Sequence, residues 1–190
     1  MKKRLIQAAC AVVLLSGASA APLHGQWGMV LDWINKLSGP GFVRVGPHYA
    51  FGPGLAGTES SLRLTALAGW KVSAEEGSDA EDAGMGMYTL QATLEAPLAG
   101  GSRRSAQLIG VIGFAGHVFT GGDFDNFSSF SFPAQIVVRV PLGGSAAVRL
   151  GTGFNVFWFP DDAFEPLVVD VATEGFEGAW GATVGFEIGS

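Results

Sequence analysis

The 190 residues carry a net charge of −6 and combine 29 glycines with 14 phenylalanines at a mean hydropathy of +0.33. That balance is too apolar for a disordered chain, too glycine-rich for a helical bundle, and of the wrong sign for a nucleic-acid surface. Cys10 is the only cysteine. Disulfide staples and thiolate metal centres are therefore excluded.

Residues 1–20 divide into a basic start (Lys2, Lys3, Arg4), an apolar stretch from Leu5 to Leu15, and a small-residue exit at Ala18-Ser19-Ala20. This is the pattern of a secretory signal peptide, and its apolar core is too short for a spanning helix. Cleavage is expected after Ala20, which takes the net charge from −6 to −9. A lipoprotein reading of Cys10 is disfavoured because the apolar run continues past it to Leu15.

Residues 21–40 are ambiguous. Trp27, Val30, Leu31, Ile34 and Leu37 repeat with helical spacing, and Asn35 to Gly41 reads as a helix exit. A strand at about 26–36 is the competing expectation.

From residue 41 the apolar residues alternate with period two, the mark of strands with two unlike faces. Seven stretches are expected: about 41–51, 60–72, 84–97, 104–118, 129–142, 145–158 and 178–189. No later segment has 18 consecutive apolar residues, so these strands, longer than those of most soluble domains, are the elements available to cross a bilayer. One parity is apolar throughout: Leu62, Leu64, Ala66, Ala68 and Trp70; Tyr88, Leu90, Ala92 and Leu94; Ile136, Val138 and Val140; Trp180, Ala182, Val184 and Phe186. It is expected to face lipid. The other parity holds Arg44, His48, Arg63, Thr65, Gln91, Thr93, Glu95, Gln107, Gln135, Arg139, Arg149, Asn155, Thr183 and Glu187, and is expected to face a lumen. Trp70, Tyr88, Phe119, Phe130, Phe157, Trp158 and Trp180 near segment ends are expected to form interfacial girdles.

Connections alternate between short (98–102 and 142–145) and long (73–83, 119–128 and 159–177), and 13 of the 17 acidic residues fall in the long ones. Both chain ends of such a barrel lie on the side of the short turns, and the strand number is even. Seven strands are one too few. An additional strand at 26–36 corrects count and sidedness together; if that segment is a helix, Pro166 to Thr173 is the alternative.

Signal peptide, about eight antiparallel strands, short turns and long acidic loops together resemble the small outer-membrane barrels exemplified by outer-membrane proteins A and X. The resemblance covers residues 41–190 and implies an all-β, antiparallel, up-and-down transmembrane barrel following a 1–20 leader and a 21–40 segment of helix or first strand. It implies an outer-membrane monomer in contact with lipid, with a structural or surface-interaction role. One departure is that the last strand of that group ends on an aromatic residue, whereas here Phe186 is followed by Glu187-Ile188-Gly189-Ser190.

Little in the sequence carries chemistry. His24, His48 and His117 lack metal-site spacing, and no cofactor is expected. Some small barrels of this kind are lipid-modifying hydrolases with a histidine and a serine near a strand end, which singles out His117 with Ser128 or Ser129; a polar rim residue is the simpler reading. Glu95 and Glu187 resemble paired carboxylates, but Arg139 and Arg149 share their parity. A polar network of Arg44, Arg63, Glu95, Arg139, Arg149 and Glu187 inside the lumen is the expectation. Glu75, Glu76, Asp79, Glu81 and Asp82 could gather divalent cations but lack the spacing of an EF-hand loop, so a solvated acidic loop is expected. The remaining alternative is a soluble barrel with its apolar parity inward, binding an apolar ligand.

Overall fold

The computed structural model describes residues 25–36, 41–51, 60–73, 84–100, 105–121, 126–159 and 175–189. The expected leader, the alternative strand at 166–173 and the acidic stretches at 75–82 and 123–125 lie outside the described residues.

Eight strands are present: β1 (Gly25–Lys36), β2 (Gly41–Phe51), β3 (Ser61–Ser73), β4 (Met85–Ala99), β5 (Gln107–Gly121), β6 (Phe127–Gly143), β7 (Ala146–Phe159) and β8 (Gly175–Gly189). Each pairs antiparallel with its sequence neighbours, and β1 pairs with β8, closing the barrel. Closure leaves no unpaired edge. The shortest strand has 11 residues and the longest 17, enough for a tilted bilayer crossing of about 9–11 residues.

The ambiguous segment at 26–36 is β1 and not a helix. Its register runs from Gly25↔Phe51 to Asn35↔Gly41 on β2 and from Gln26↔Gly189 to Lys36↔Ala179 on β8. The helical spacing arose because both faces are apolar. Trp27, Met29, Leu31 and Trp33 point out, while Ile34 is fully buried inside.

The outer wall carries the apolar parity. Leu90, Ile112, Ile136, Leu150 and Val184 stand exposed around it, and Trp70, Tyr88 and Trp180 lie on the same surface. Arginines and glutamates point inward. A soluble barrel with apolar lumen and charged exterior is thus the reverse of what the chain forms, because a wall this apolar is stable against hydrocarbon and not against water. Two expected girdle residues are misplaced: Phe119 and Phe157 are 1% exposed and face inward. Phe119 follows the outward Val118, so the same alternation that places Val118 on the wall turns Phe119 into the lumen.

The pairing of Gln26 with Gly189 puts the start of β1 and the end of β8 at one end of the barrel, here the near end. The turn of Gly143 and Gly144 lies there, with φ of +104° and +59° that only glycine adopts without strain. The connections 74–83, 122–125 and 160–174 join strands at the far end.

Candidate functional site: a filled lumen

The barrel interior is stacked in tiers. At the far end, Ile34, Phe42, Met85, Met87, Phe119, Phe157, Phe159 and Ala179 form a buried apolar plug. The Phe157 and Phe159 rings stack at 5.7 Å, and Phe119 meets the ring of Phe42 edge-on at the same separation. These rings exclude water from that end of the lumen.

Beneath the plug runs a chain of hydrogen bonds that crosses the barrel. Arg44 on β2 pairs with Asp32 on β1 and donates from Nη1 to Thr89 Oγ1 on β4 at 3.1 Å. Thr89 Oγ1 lies 2.9 Å from His117 Nδ1 on β5, and His117 Nε2 lies 2.8 Å from Ser131 Oγ on β6. An arginine can only donate, so Thr89 Oγ1 accepts from Arg44 and links it to the imidazole of His117, whose other nitrogen faces Ser131.

The near half of the lumen holds the ionic cluster. Arg63 on β3 donates from Nε to Glu95 Oε1 at 2.7 Å and from Nη2 to Glu187 Oε1 at 2.5 Å. Arg149 on β7 reaches the same two carboxylates, Glu95 Oε1 at 2.6 Å and Glu187 Oε1 at 3.0 Å. Arg139 on β6 donates from Nε to Glu187 Oε2 at 2.9 Å. His48 Nε2 on β2 stands 3.9 Å from Glu187 Oε1, outside hydrogen-bond range. Five strands are tied together across the axis, and the Arg63–Glu187 contact spans 124 residues of sequence.

Of the six residues expected to form one network, the structure brings Arg63, Glu95, Arg139, Arg149 and Glu187 together. Arg44 belongs to the other tier, with Asp32 and Thr89 as partners. Asp32 escaped sequence reasoning because β1 had no assigned parity. Thr89 and Ser131 were legible by alternation, lying between outward-facing neighbours, but polar residues of that size gave no chemical signal.

His117 is neither the rim residue that was the simpler reading nor paired with Ser128 or Ser129, but is buried in the lumen. Ser128 points outward, and Ser129 is spent on the Trp158 carbonyl at 2.5 Å. The serine on His117 is Ser131, which is 0% exposed. A nucleophile sealed beneath an aromatic plug cannot meet a lipid carbonyl. Glu95 and Glu187, each held by two or more guanidiniums, are likewise bound as counter-ions and not poised for proton transfer. Among the described residues no group of three His, Cys, Asp or Glu could hold a metal ion.

No family model matches the sequence, and no curated protein matches it. The fold is shared with solved structures. Neisserial surface protein A superposes with a TM-score of 0.58 at 6% identity, covering 88% of this chain and 97% of that one. The outer membrane protein OprG from Pseudomonas aeruginosa superposes with a TM-score of 0.52 at 10% identity, again covering 88% and 97%. With so little identity the likeness is one of architecture: the chain has the fold of the small eight-stranded barrels of the outer membrane.

Proposed function

We propose that this protein is a non-enzymatic outer-membrane barrel whose body anchors a set of acidic loops at the cell surface, reinforcing the membrane and meeting ions, lipids or other cells there. The observation that carries this reading is the filled lumen. Among the described residues, an aromatic plug at one end and a cross-barrel ionic cluster at the other leave neither an open through-path nor a serine–histidine pair within reach of lipid. What remains for interaction is the apolar wall, suited to lipid, and the far-end connections, which hold most of the acidic residues. The architectural likeness to a surface protein and an outer-membrane protein agrees with that placement.

The test has two parts. Outer membranes extracted in detergent and run heated and unheated should give a band whose mobility shifts on boiling; a soluble band that does not shift refutes the placement. A deletion strain should then be more sensitive to detergent and chelator. Wild-type protein should restore resistance, while a version with Glu75, Glu76, Asp79, Glu81 and Asp82 changed to amides should fail to do so. Full rescue by the amide version would leave the barrel body as the working part and remove the loops from the proposal.

A further inference from the structure

Among the described residues, two seams between neighbouring strands are interrupted in mid-wall. Pairing of β2 with β3 runs to Val45↔Ala68 and resumes at His48↔Thr65, passing over Gly46 and Pro47. Pairing of β5 with β6 runs to Ile112↔Ala134 and resumes at Ala115↔Ser131, passing over Phe132 and Pro133 on β6. The register is the same on both sides of each gap, so neither is a bulge. Between β7 and β8, by contrast, pairing is unbroken from Ala146↔Ile188 to Phe159↔Gly175.

A proline accounts for each gap. Pro47 keeps its place opposite Met29 on β1, and Pro133 opposite Asn155 on β7, so the N–H that each lacks is missing on the interrupted side. Strand prolines are ordinarily confined to edges, which a closed barrel does not have. Hydrocarbon cannot satisfy a carbonyl left without its donor. Behind both seams, however, lies a lumen chamber of about 40 Å³, with His48, Thr65 and Leu67 beside the first and Val111, Gln135 and Val137 beside the second. Space for water behind a strip of wall without ladder bonds makes each seam a line of low local stability.

The seams divide the barrel into a panel, β3 to β5, and a frame, β6 to β8 with β1 and β2. We propose that this panel is the part of the wall that yields first, and that the hydrogen-bond chain across the lumen is its latch. Arg44, held on the frame by Asp32, reaches past β3 to Thr89 on β4 at 3.1 Å and so bridges the first seam. His117 on β5 meets Ser131 on β6 at 2.8 Å and bridges the second, beside the Ala115↔Ser131 pair where the ladder resumes. Thr89 and His117 join these two links within the panel at 2.9 Å. The chain is thus anchored on the frame at both ends and crosses the panel between them. Side chains span the two seams where backbone bonds do not.

The test is hydrogen exchange read by mass spectrometry on the full barrel in lipid vesicles. In the wild type, amides at 43–49 and 64–69, and at 111–116 and 130–135, should exchange about tenfold faster than those of β7 and β8. Thr89→Val keeps the shape of the side chain and removes the link to Arg44, so exchange at the β2–β3 seam should rise by about a further tenfold. Ser131→Ala should do the same at the β5–β6 seam. In both variants the β7–β8 amides should keep their wild-type rate. Two results would overturn the proposal: seam amides in the wild type as protected as those of β7 and β8, which needs no variant to fold, or variants whose exchange is unchanged at the seams or rises evenly over all eight strands.

Discussion

Glu187→Gln and Arg149→Met each disturb three charge-assisted hydrogen bonds of the ionic cluster, yet they should differ sharply in cost. Glu187 accepts from Arg63, Arg139 and Arg149, at 2.5, 2.9 and 3.0 Å. Arg149 makes three bonds as well, to Glu95 Oε2 at 3.1 Å, Glu95 Oε1 at 2.6 Å and Glu187 Oε1 at 3.0 Å. The difference is charge. Losing Glu187 leaves three guanidiniums facing one carboxylate, whereas losing Arg149 leaves two against two.

Removing one partner of a buried ion pair typically costs about 3–5 kcal/mol because the other charge is stranded. Glu187→Gln strands an extra cation and should fall at the upper end, near 4–5 kcal/mol by the same estimate. Arg149→Met restores balance and adds apolar volume, so about 2 kcal/mol or less is expected. With a urea slope of about 2 kcal/mol per molar, the unfolding midpoints should fall by about 2 M and at most about 1 M respectively. The titration is done in lipid vesicles in gluconate buffer, followed by tryptophan emission, for which Trp27, Trp33, Trp70 and Trp180 on the lipid-facing wall are suitable reporters. If Arg149→Met costs as much as Glu187→Gln, a stranded guanidinium is not what sets the cost of breaking the cluster.

Other outcomes follow from the wall and the lumen. His117→Ala should cost about 2–4 kcal/mol in the same assay, through the loss of two buried hydrogen bonds and a ring packed 4.8 Å from Phe157, while mass spectrometry of the membrane lipids stays unchanged; a lipid change that disappears with His117 would revive the enzyme reading. Leu90→Arg, on the lipid face in the middle of β4, should cost about 2–4 kcal/mol in vesicles, and a neutral effect would place that surface outside the hydrocarbon. Gly46→Ala should prevent normal closure of β2 on β3, since its Cβ would stand 1.9 Å from the Ala66 carbonyl oxygen, and a barrel that shifts normally on gels would refute that contact. In planar bilayers the wild-type protein should show no steady conductance, because the Phe42, Phe119, Phe157 and Phe159 rings close the far end.

Alternation made most of this fold legible before any coordinates. It placed Arg63, Glu95, Arg139, Arg149 and Glu187 on one parity, and a narrow barrel leaves such side chains little to meet except one another. It failed where a strand was apolar on both sides. Trp33 outside and Ile34 inside are adjacent in β1, one toward lipid and one into the plug, and Val30 shares the inner face with Gln26 and Asp32, too few polar residues to mark it. The same failure hid the plug, since Phe119 and Phe157 read as girdle aromatics when only their nearness to strand ends is considered. Tier membership was not legible at all. Arg44 and Arg63 share a parity, but their depths differ, and depth is set by the register of β2 on β3, where Arg44 lies opposite Gly69 and Arg63 opposite Ala50.

Depth also explains why the two tiers differ in kind. The far-end tier contains one ion pair, Asp32–Arg44, and passes its remaining polarity through hydroxyls and an imidazole, which bridge β1 to β6 with little net charge. The near-end tier concentrates five charges, toward the end where β1 starts and β8 finishes. Glu187 sits on β8 and is grasped by residues of β3, β6 and β7, so the last strand to be made is bound through its side chain to strands made long before it. Backbone pairing alone would hold β8 only to β7 and β1. The cluster thus gives closure a long-range component, and weakening it should slow the final step of assembly as well as lower stability. Folding followed in vesicles would separate the two: Glu187→Gln should slow the appearance of the fast-migrating band, whereas Leu90→Arg should lower stability without selectively delaying closure.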